Sequence, residues 1–222
     1  MHPGCGVQLA YKILQDCVLE KAEKDEQGQI VREAVHAQWL SSLSTASHFK
    51  ESQGMILVSN PPAAGDFCFI DDATVLASLP ELLAKDAFVI CLNLSGRIQF
   101  ARYLGLHGYA ATASPAFYED MTAKIKKAAT MKGLRFIEVI SPCPTLWKSE
   151  PSNTVEIARQ AVSIGLWPLF EIDHGIVTVS HKPAKLEAKA AFETMQHKVR
   201  VDESNIEKTW KKFLVKPYEA AL

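Results

Sequence analysis

Residues 134–148 read Leu-Arg-Phe-Ile-Glu-Val-Ile-Ser-Pro-Cys-Pro-Thr-Leu-Trp-Lys, and residues 165–173 read Gly-Leu-Trp-Pro-Leu-Phe-Glu-Ile-Asp. The first seven residues of this stretch are mostly apolar and rich in β-branched side chains, which predicts a buried strand. Pro142 and Pro144 prevent the strand from continuing as a regular ladder, because proline has no backbone N–H to donate. Cys143 therefore lies at the carboxyl end of a parallel-type strand, which is where open α/β sheets bind their ligands.

Strands and helices alternate along most of the chain. After Cys143, Ser152 or Asn153 can cap a helix that Gly165 ends, and residues 166–172 predict the returning strand. The other predicted strands are 55–59, 87–92 and 108–113, and the other predicted helices are 7–19, 30–43, 71 or 72 to 83, 95–106 and 117–131. This alternation predicts an α/β fold: a doubly wound, mostly parallel sheet with helices on both faces.

The composition describes a folded protein with no marked affinity for polyanions. The chain has 222 residues, 48% of them hydrophobic, and its 24 basic and 25 acidic residues give a net charge of −1. No basic surface for nucleic acid and no membrane-spanning run is indicated, and the first residues lack the pattern of a signal peptide. A cytoplasmic location is expected. The five widely spaced cysteines predict reduced thiols, because a chain of this size does not need disulfides to fold.

The last part of the chain differs in character from the rest. After Ser180 the sequence becomes basic and helical and lacks a strong core pattern. We expect one α/β domain over residues 1–180, followed by a C-terminal helical arm over residues 181–222.

Polar residues follow two of the predicted strands. Gly65 and Asp66 lie in the loop after the strand at 55–59, and Asn93 follows the strand at 87–92. Carboxylate and amide oxygens at neighbouring strand ends suit Mg²⁺. An Asp after Gly in a loop more often serves simple turn chemistry, so spacing alone leaves both interpretations open.

Three segments carry a family resemblance. They are Pro-Gly-Cys-Gly at residues 3–6, Ser-Pro-Cys-Pro-Thr-Leu-Trp at residues 141–147, and Gly-Leu-Trp-Pro-Leu-Phe-Glu at residues 165–171. In these segments the chain resembles the thiamine-diphosphate-binding β subunits of the 2-oxoacid:ferredoxin oxidoreductases, the pyruvate synthase family, with Leu146 in place of that family's glycine. The resemblance implies the thiamine-diphosphate-binding fold.

The resemblance also implies thiamine diphosphate bound through Mg²⁺. The family uses a Gly-Asp-Gly motif and a later Asn, and here Gly65-Asp66 and Asn93 match it, with Phe67 in place of the second glycine. Asp66 and Asn93 are thus the implied Mg²⁺ ligands. The residues implied to bind the cofactor are Cys5, Gly6, Gly65, Asp66, Asn93 and Ser95.

An iron–sulfur cluster is a further implication of the family pattern. Cys5 and Cys143 match two of its ligand positions, whereas His2 stands at the position of the first cysteine and residues 30–60 contain no Gly-Cys loop. Because such clusters normally require four thiolates, the presence of a cluster stays open.

The implied activity is that of one subunit of an enzyme complex. Such a complex converts a 2-oxoacid and coenzyme A into an acyl-coenzyme A and CO₂, and passes electrons to iron–sulfur centres. Its partners would be an α-type and a ferredoxin-like subunit. The alternative is a non-catalytic homologue that keeps the fold and the interface, which Phe67, the missing cysteines and the shortened segment before Asp66 favour.

Overall fold

The described residues fold around one open β-sheet. The computed structural model describes residues 6–19, 23–24, 30–31, 67–77, 79–83, 86–96, 99–183, 189–197 and 199–215. Its strands are β1 (Glu23–Lys24), β2 (Ile30–Val31), β3 (Phe67–Asp71), β4 (Phe88–Asn93), β5 (Gly108–Ala113), β6 (Leu134–Ile140), β7 (Leu169–Asp173) and β8 (Ile176–His181). In the described part of the chain the sheet order is β3–β4–β6–β5–β7–β8, and β1 pairs with β2 separately.

The strand directions make the sheet mostly parallel. β3, β4, β6 and β5 run parallel to one another, whereas β7 is antiparallel to β5 and β8 is antiparallel to β7. The parallel part agrees with the prediction. The β7–β8 hairpin was not predicted, although β8 alternates between exposed and half-buried residues, as a strand with one solvated face does.

The helices account for most of the remaining described residues. They are α1 (Gly6–Leu19), α2 (Asp72–Ala77), α3 (Leu79–Leu83), α4 (Ala101–Leu104), α5 (Tyr118–Ala129), α6 (Pro144–Trp147), α7 (Thr154–Ser163), α8 (Lys189–Met195) and α9 (Glu203–Val215), with a 3₁₀ turn at Pro151–Asn153. None of these helices is long and apolar enough to cross a membrane.

Helices cover both faces of the sheet, as predicted. Along the fully buried strand β4, Phe88, Ile90 and Leu92 pack in one apolar cluster with residues of α1 and α5. Val89 and Cys91 point to the opposite face and pack in a second cluster with residues of α2, α3 and α4. Strands buried on both faces read as continuous apolar runs, which is why the sequence predicts this strand well.

A third apolar cluster lies beside the carboxyl end of β6. It joins Trp147 and α7 to Trp167 and to Phe192 of α8. Trp210 of α9 donates a 2.9 Å hydrogen bond from Nε1 to the carbonyl oxygen of Gly165, so the described C-terminal helices contact the α/β domain. The division into residues 1–180 and 181–222 stays a prediction.

Several predicted elements need correction or cannot be placed. The helix predicted from residue 95 is reduced to the short α4, and the helix predicted from residue 30 begins instead as β2. Ile30 and Val31 are β-branched, and restricted χ1 freedom favours strand over helix for such residues. The predicted strand at 55–59 and the loop at 60–66 lie outside the described residues.

Candidate functional site

The candidate site lies at the carboxyl edge of β3 and β4. These neighbouring strands are parallel, with Asp71 paired to Leu92, so the residues that follow each strand emerge at the same edge. Asp72 begins α2 directly after β3, and Asn93 is the last residue of β4. Open parallel sheets bind ligands at this edge, because the loops there are free to differ from the scaffold below them.

The side-chain amide of Asn93 is buried and held at both ends. Its Oδ1 atom accepts a 2.7 Å hydrogen bond from the backbone N–H of Gly96 and a longer one, 3.4 Å, from the hydroxyl of Ser95. Its Nδ2 atom donates a 2.7 Å hydrogen bond to Oε1 of Glu138. The Asn93 side chain is 0% exposed, so these contacts replace water.

Ser95 connects Asn93 to the acidic side chain on the neighbouring strand end. Its backbone N–H donates a 3.4 Å hydrogen bond to Oδ2 of Asp72, which lies 23 residues earlier in the chain. The half-buried carboxylate of Asp72 and the amide of Asn93 therefore both contact Ser95. Both are oxygen donors of the type that hard cations prefer.

Glu138 lies beneath this edge, on the central strand β6. Its Oε2 atom accepts a 2.9 Å hydrogen bond from the backbone N–H of Ala101, and its side chain is 0% exposed. Burial raises the pKa of Glu138 to about 8; the hydrogen bonds from Ala101 and Asn93 act in the opposite direction, and the nearby charge of Asp72 raises the pKa further. The influence of Asp72 on Glu138 places these two carboxyl groups in one electrostatic environment.

Trp147 supports the loop after Asn93 from the other side. Its indole Nε1 donates a 2.6 Å hydrogen bond to the carbonyl oxygen of Leu94. Gly96 adopts a positive φ of 67°, and a Cβ atom placed there would lie 2.8 Å from Cζ2 of Trp147. Glycine is therefore required at this position for two reasons: the backbone conformation disfavours other residues, and the Trp147 ring leaves no room for a Cβ atom.

The N-terminal segment and the proline-rich segment also meet. The backbone N–H of Gly6, the first residue of α1, donates a 3.3 Å hydrogen bond to the carbonyl oxygen of Pro142. A Cβ atom at Gly6 would lie 3.0 Å from the Cα atom of Ser141, so the two backbones are in close contact. Cys143 follows immediately, is partly exposed, and precedes the first turn of α6. Gly6, the last residue of the first motif, is thus adjacent in the fold to a motif more than 130 residues later in the chain.

The predicted site residues divide into three groups. Asn93 and Ser95 lie together at the sheet edge. The backbone N–H of Gly6 donates to the carbonyl oxygen of Pro142, which directly precedes Cys143. The residues outside the described part of the chain are Cys5, Gly65 and Asp66. Their predicted roles as cofactor or metal ligands stay predictions.

Asp72 is the site residue that the sequence analysis missed. In the sequence it marked only the start of the helix predicted from residue 71 or 72 to residue 83, and the metal ligand was sought in the Gly65-Asp66 pair. The signal that could have identified it is an Asp-Asp pair at the end of the apolar run Phe67–Asp71, followed 23 residues later by Ser95. Asp72 begins a helix immediately after a parallel strand, which is the position from which ligands are bound in such folds.

The few oxygen atoms at this edge suit a cation that takes most of its ligands from phosphate groups and water. No group of three or more His, Cys, Asp or Glu side chains is arranged to hold a metal ion within the described ranges. Mg²⁺ is commonly bound by one or two protein oxygens together with phosphate oxygens and water. Asp72 fits that requirement, whereas Asn93 would have to give up the 3.4 Å contact of its Oδ1 atom with Ser95 to act as the second ligand.

Comparisons with known proteins point to one family of enzyme subunits. Pyruvate synthase subunit PorB of Methanocaldococcus jannaschii is 40% identical over 99 residues, which cover 44% of this chain and 33% of that protein. Ketoisovalerate oxidoreductase subunit VorB of Pyrococcus abyssi is 42% identical over 88 residues, 40% of this chain and 28% of that protein. The resemblance to the β subunits of 2-oxoacid:ferredoxin oxidoreductases is confirmed.

These similarities cover only part of each protein. A shorter match, to pyruvate synthase subunit PorB of Pyrococcus horikoshii, is 51% identical over 67 residues, 30% of this chain and 20% of that protein. No family model matches the chain. The matched region thus spans about a third or less of these relatives, so the identity does not by itself transfer the activity of a whole relative to this chain.

Proposed function

We propose that this chain is a β-type subunit of an oxidoreductase complex that acts on a 2-oxoacid, and that its β3–β4 edge binds thiamine diphosphate through Mg²⁺. The observation that carries the proposal is the meeting of Asp72 and Asn93 through Ser95 at the carboxyl ends of adjacent parallel strands. The relatives named as pyruvate synthase and ketoisovalerate oxidoreductase subunits give the substrate class.

The residues of this chain would serve to bind and orient. Asp72 would offer a carboxylate oxygen to the metal, and Asn93 would offer its amide oxygen in place of the long contact with Ser95. Trp147 and Gly96 would fix the loop after Asn93. When bound, thiamine diphosphate supplies the nucleophilic carbon and the electron sink for decarboxylation of a 2-oxoacid.

The proposal requires partner subunits. An α-type subunit would complete the site, and a ferredoxin-like subunit would accept electrons; coenzyme A would be the second substrate. Cys5 and Cys143 are this chain's proposed contribution to an iron–sulfur cluster, and since four thiolates are normally required, the other ligands would come from elsewhere.

A second candidate is a non-catalytic homologue that keeps the fold for assembly. The bonds made by Asn93 favour it, because Gly96, Ser95 and Glu138 already give the buried amide partners within the chain. An amide that closes a loop needs no cofactor to explain it.

Calorimetric titration separates the two candidates. Thiamine diphosphate is titrated into the chain purified with its co-purifying partners, once with MgCl₂ and once with EDTA. Saturable binding that disappears in EDTA is the expected result. If the partners are present and no heat of binding appears in MgCl₂, the cofactor proposal is wrong and the assembly role takes its place.

A further inference from the structure

Glu138 is an ionisable residue in the middle of the sheet. It pairs in register with Cys91 of β4 and with Thr112 of β5, so strands flank it on both sides. Its nearest neighbours along β6, Ile137 and Val139, are 0% exposed apolar residues. An apolar residue would cost less free energy at such a position, since a buried carboxyl group stabilises a fold only weakly at best. The hydrogen bonds of Glu138 therefore indicate a role beyond packing.

The bonds of Asn93 define the direction of its amide without ambiguity. The backbone N–H of Gly96 can only donate, so the atom 2.7 Å away from it must be the amide oxygen. The amide NH₂ group then faces Glu138, where it donates to Oε1. If Glu138 were apolar, this buried NH₂ group would lose its acceptor. Rotation of the amide would not restore one, because it would turn the NH₂ group toward the Gly96 N–H, so the side chain would have to shift toward water to pair the group again.

We propose that Glu138 is a positioning residue: its buried carboxyl group holds the Asn93 amide in the orientation that directs Oδ1 toward Ser95 and Gly96. Through Asn93, it sets the shape of the loop at residues 93–96. Its consequence for cofactor affinity rests on the proposed function, whereas the orientation of the amide does not.

The competing explanation is a structural role confined to α4. Glu138 also accepts a hydrogen bond from the N–H of Ala101, at the start of that helix. A residue needed only there would affect stability and the Ala101 amide but would leave Gly96 unchanged. The two amides, Gly96 and Ala101, therefore separate the two roles.

Amide hydrogen exchange measured by NMR on the full chain gives the test. In the wild type the Gly96 amide is expected to be protected, because it donates to a buried acceptor. In Glu138→Leu we expect Gly96 to exchange roughly five- to tenfold faster, relative to the core amide of Ile90, because the Asn93 side chain that carries its acceptor shifts to pair its buried NH₂ group. Glu138→Gln keeps one acceptor oxygen, which can serve Asn93 or Ala101 but not both, so protection should be retained at one of the Gly96 and Ala101 amides and lost at the other.

Thr112→Val is the matched control. Thr112 is equally buried, pairs in register with Glu138, and makes its hydrogen bonds to Pro168 and Phe170 rather than to Asn93. This variant loses buried hydrogen bonds of the same general kind, yet Gly96 exchange relative to Ile90 should stay at the wild-type value.

Three results would overturn the inference. They are an unprotected Gly96 amide in the wild type, unchanged Gly96 exchange in a folded Glu138→Leu variant, and a Glu138→Gln variant in which Gly96 and Ala101 both keep their wild-type protection. The first result is measured on the wild type, so the inference can be tested even if the Glu138→Leu variant does not fold.

A second readout concerns the cofactor. If the wild type binds thiamine diphosphate with Mg²⁺, Glu138→Leu should bind at least about tenfold more weakly, as expected when the residue that orients a metal ligand is removed, and Thr112→Val should bind normally. Equal affinity in Glu138→Leu and the wild type would remove the functional part of the inference. Absence of wild-type binding would instead count against the proposed function, while hydrogen exchange still decides the role of Glu138.

Discussion

The indole N–H of Trp147 donates a 2.6 Å hydrogen bond to the main-chain carbonyl oxygen of Leu94. This bond joins the segment after the two prolines to the loop after Asn93, across 53 residues of sequence. Trp147 is 1% exposed, and its ring also lies against Gly96. The tryptophan therefore limits the path that the loop at the sheet edge can take.

Gly96→Ala should destabilise the protein through two separate effects. The left-handed backbone at Gly96 costs an L-residue about 1–2 kcal/mol, and the new Cβ atom would meet Cζ2 of Trp147 at 2.8 Å. We expect a loss of about 2–4 kcal/mol in the free energy of unfolding once this overpacking is added, measured by urea denaturation.

Gly133→Ala is its matched control. Gly133 has a φ of 80°, and a Cβ atom there would have nothing within 4 Å. Its substitution should cost only the backbone term, about 1–2 kcal/mol. Equal losses for the two variants would show that the Trp147 contact does not restrict the loop.

Asp72→Asn should weaken metal-dependent binding of thiamine diphosphate by at least about tenfold, because the variant keeps the shape of the side chain but loses its charge. Calorimetry in MgCl₂ measures the change, and the circular dichroism spectrum should stay that of the wild type. Asp66→Ala is the companion variant, since Asp66 is the ligand that the family resemblance implies. Loss of binding in Asp66→Ala together with normal binding in Asp72→Asn would return the role to Asp66.

Asn93→Ala should lower the free energy of unfolding by about 2–4 kcal/mol, because it leaves the Gly96 N–H and the Glu138 carboxyl group without their partner. Ser95→Ala, which removes the 3.4 Å contact of its hydroxyl group with Asn93, should cost less than about 1 kcal/mol. Urea denaturation of both variants checks the order. Similar losses in the two variants would mean that the Asn93 amide contributes no more to stability than the 3.4 Å contact of the Ser95 hydroxyl group.

Tyr109 should make the protein less stable at alkaline pH. Burial, followed by the hydrogen bond to Glu171, raises the pKa of Tyr109 above its ordinary value of 10.0. Above pH 10 the unfolded chain loses this proton while the folded chain keeps it, so stability falls as pH rises.

Tyr109→Phe isolates this contribution. At pH 8 it should be less stable than the wild type by about 1 kcal/mol, since it loses the 2.8 Å bond to Glu171. Above pH 10 the difference should shrink by up to about 1.4 kcal/mol per pH unit. Tyr103→Phe, at an exposed tyrosine, should change stability at pH 8 by less than about 0.5 kcal/mol. A wild-type advantage that stays constant from pH 8 to 11 would contradict the prediction.

The local pattern of the chain predicted its regular elements well. The strand at 134–140 coincides with β6, and the helices at 7–19 and 117–131 correspond closely to α1 and α5. The apolar pattern of a helix can be recognised within a few turns. A strand that is buried on both faces of the sheet is recognised as a continuous apolar run. The β7–β8 hairpin was missed because its second strand is only half-buried and has a weaker apolar signal.

The site was predicted only in part. Asn93 follows an apolar strand, so the sequence by itself places it at a carboxyl edge. Which acidic residue meets it depends on the register of β3 against β4, and that register puts Asp72 beside Ser95.

The sequence by itself therefore determined the α/β class, the central strands and the family resemblance, because apolar periodicity and short motifs are local properties of the chain. The tertiary structure alone decided that Asp72, Asn93 and Glu138 form one cluster. Asn93 and Glu138 are 45 residues apart, and no local pattern marks a lone carboxyl group in an apolar strand as the partner of a distant amide. Parallel pairing of β4 with β6 brings the two together, and burial gives their hydrogen bond its importance.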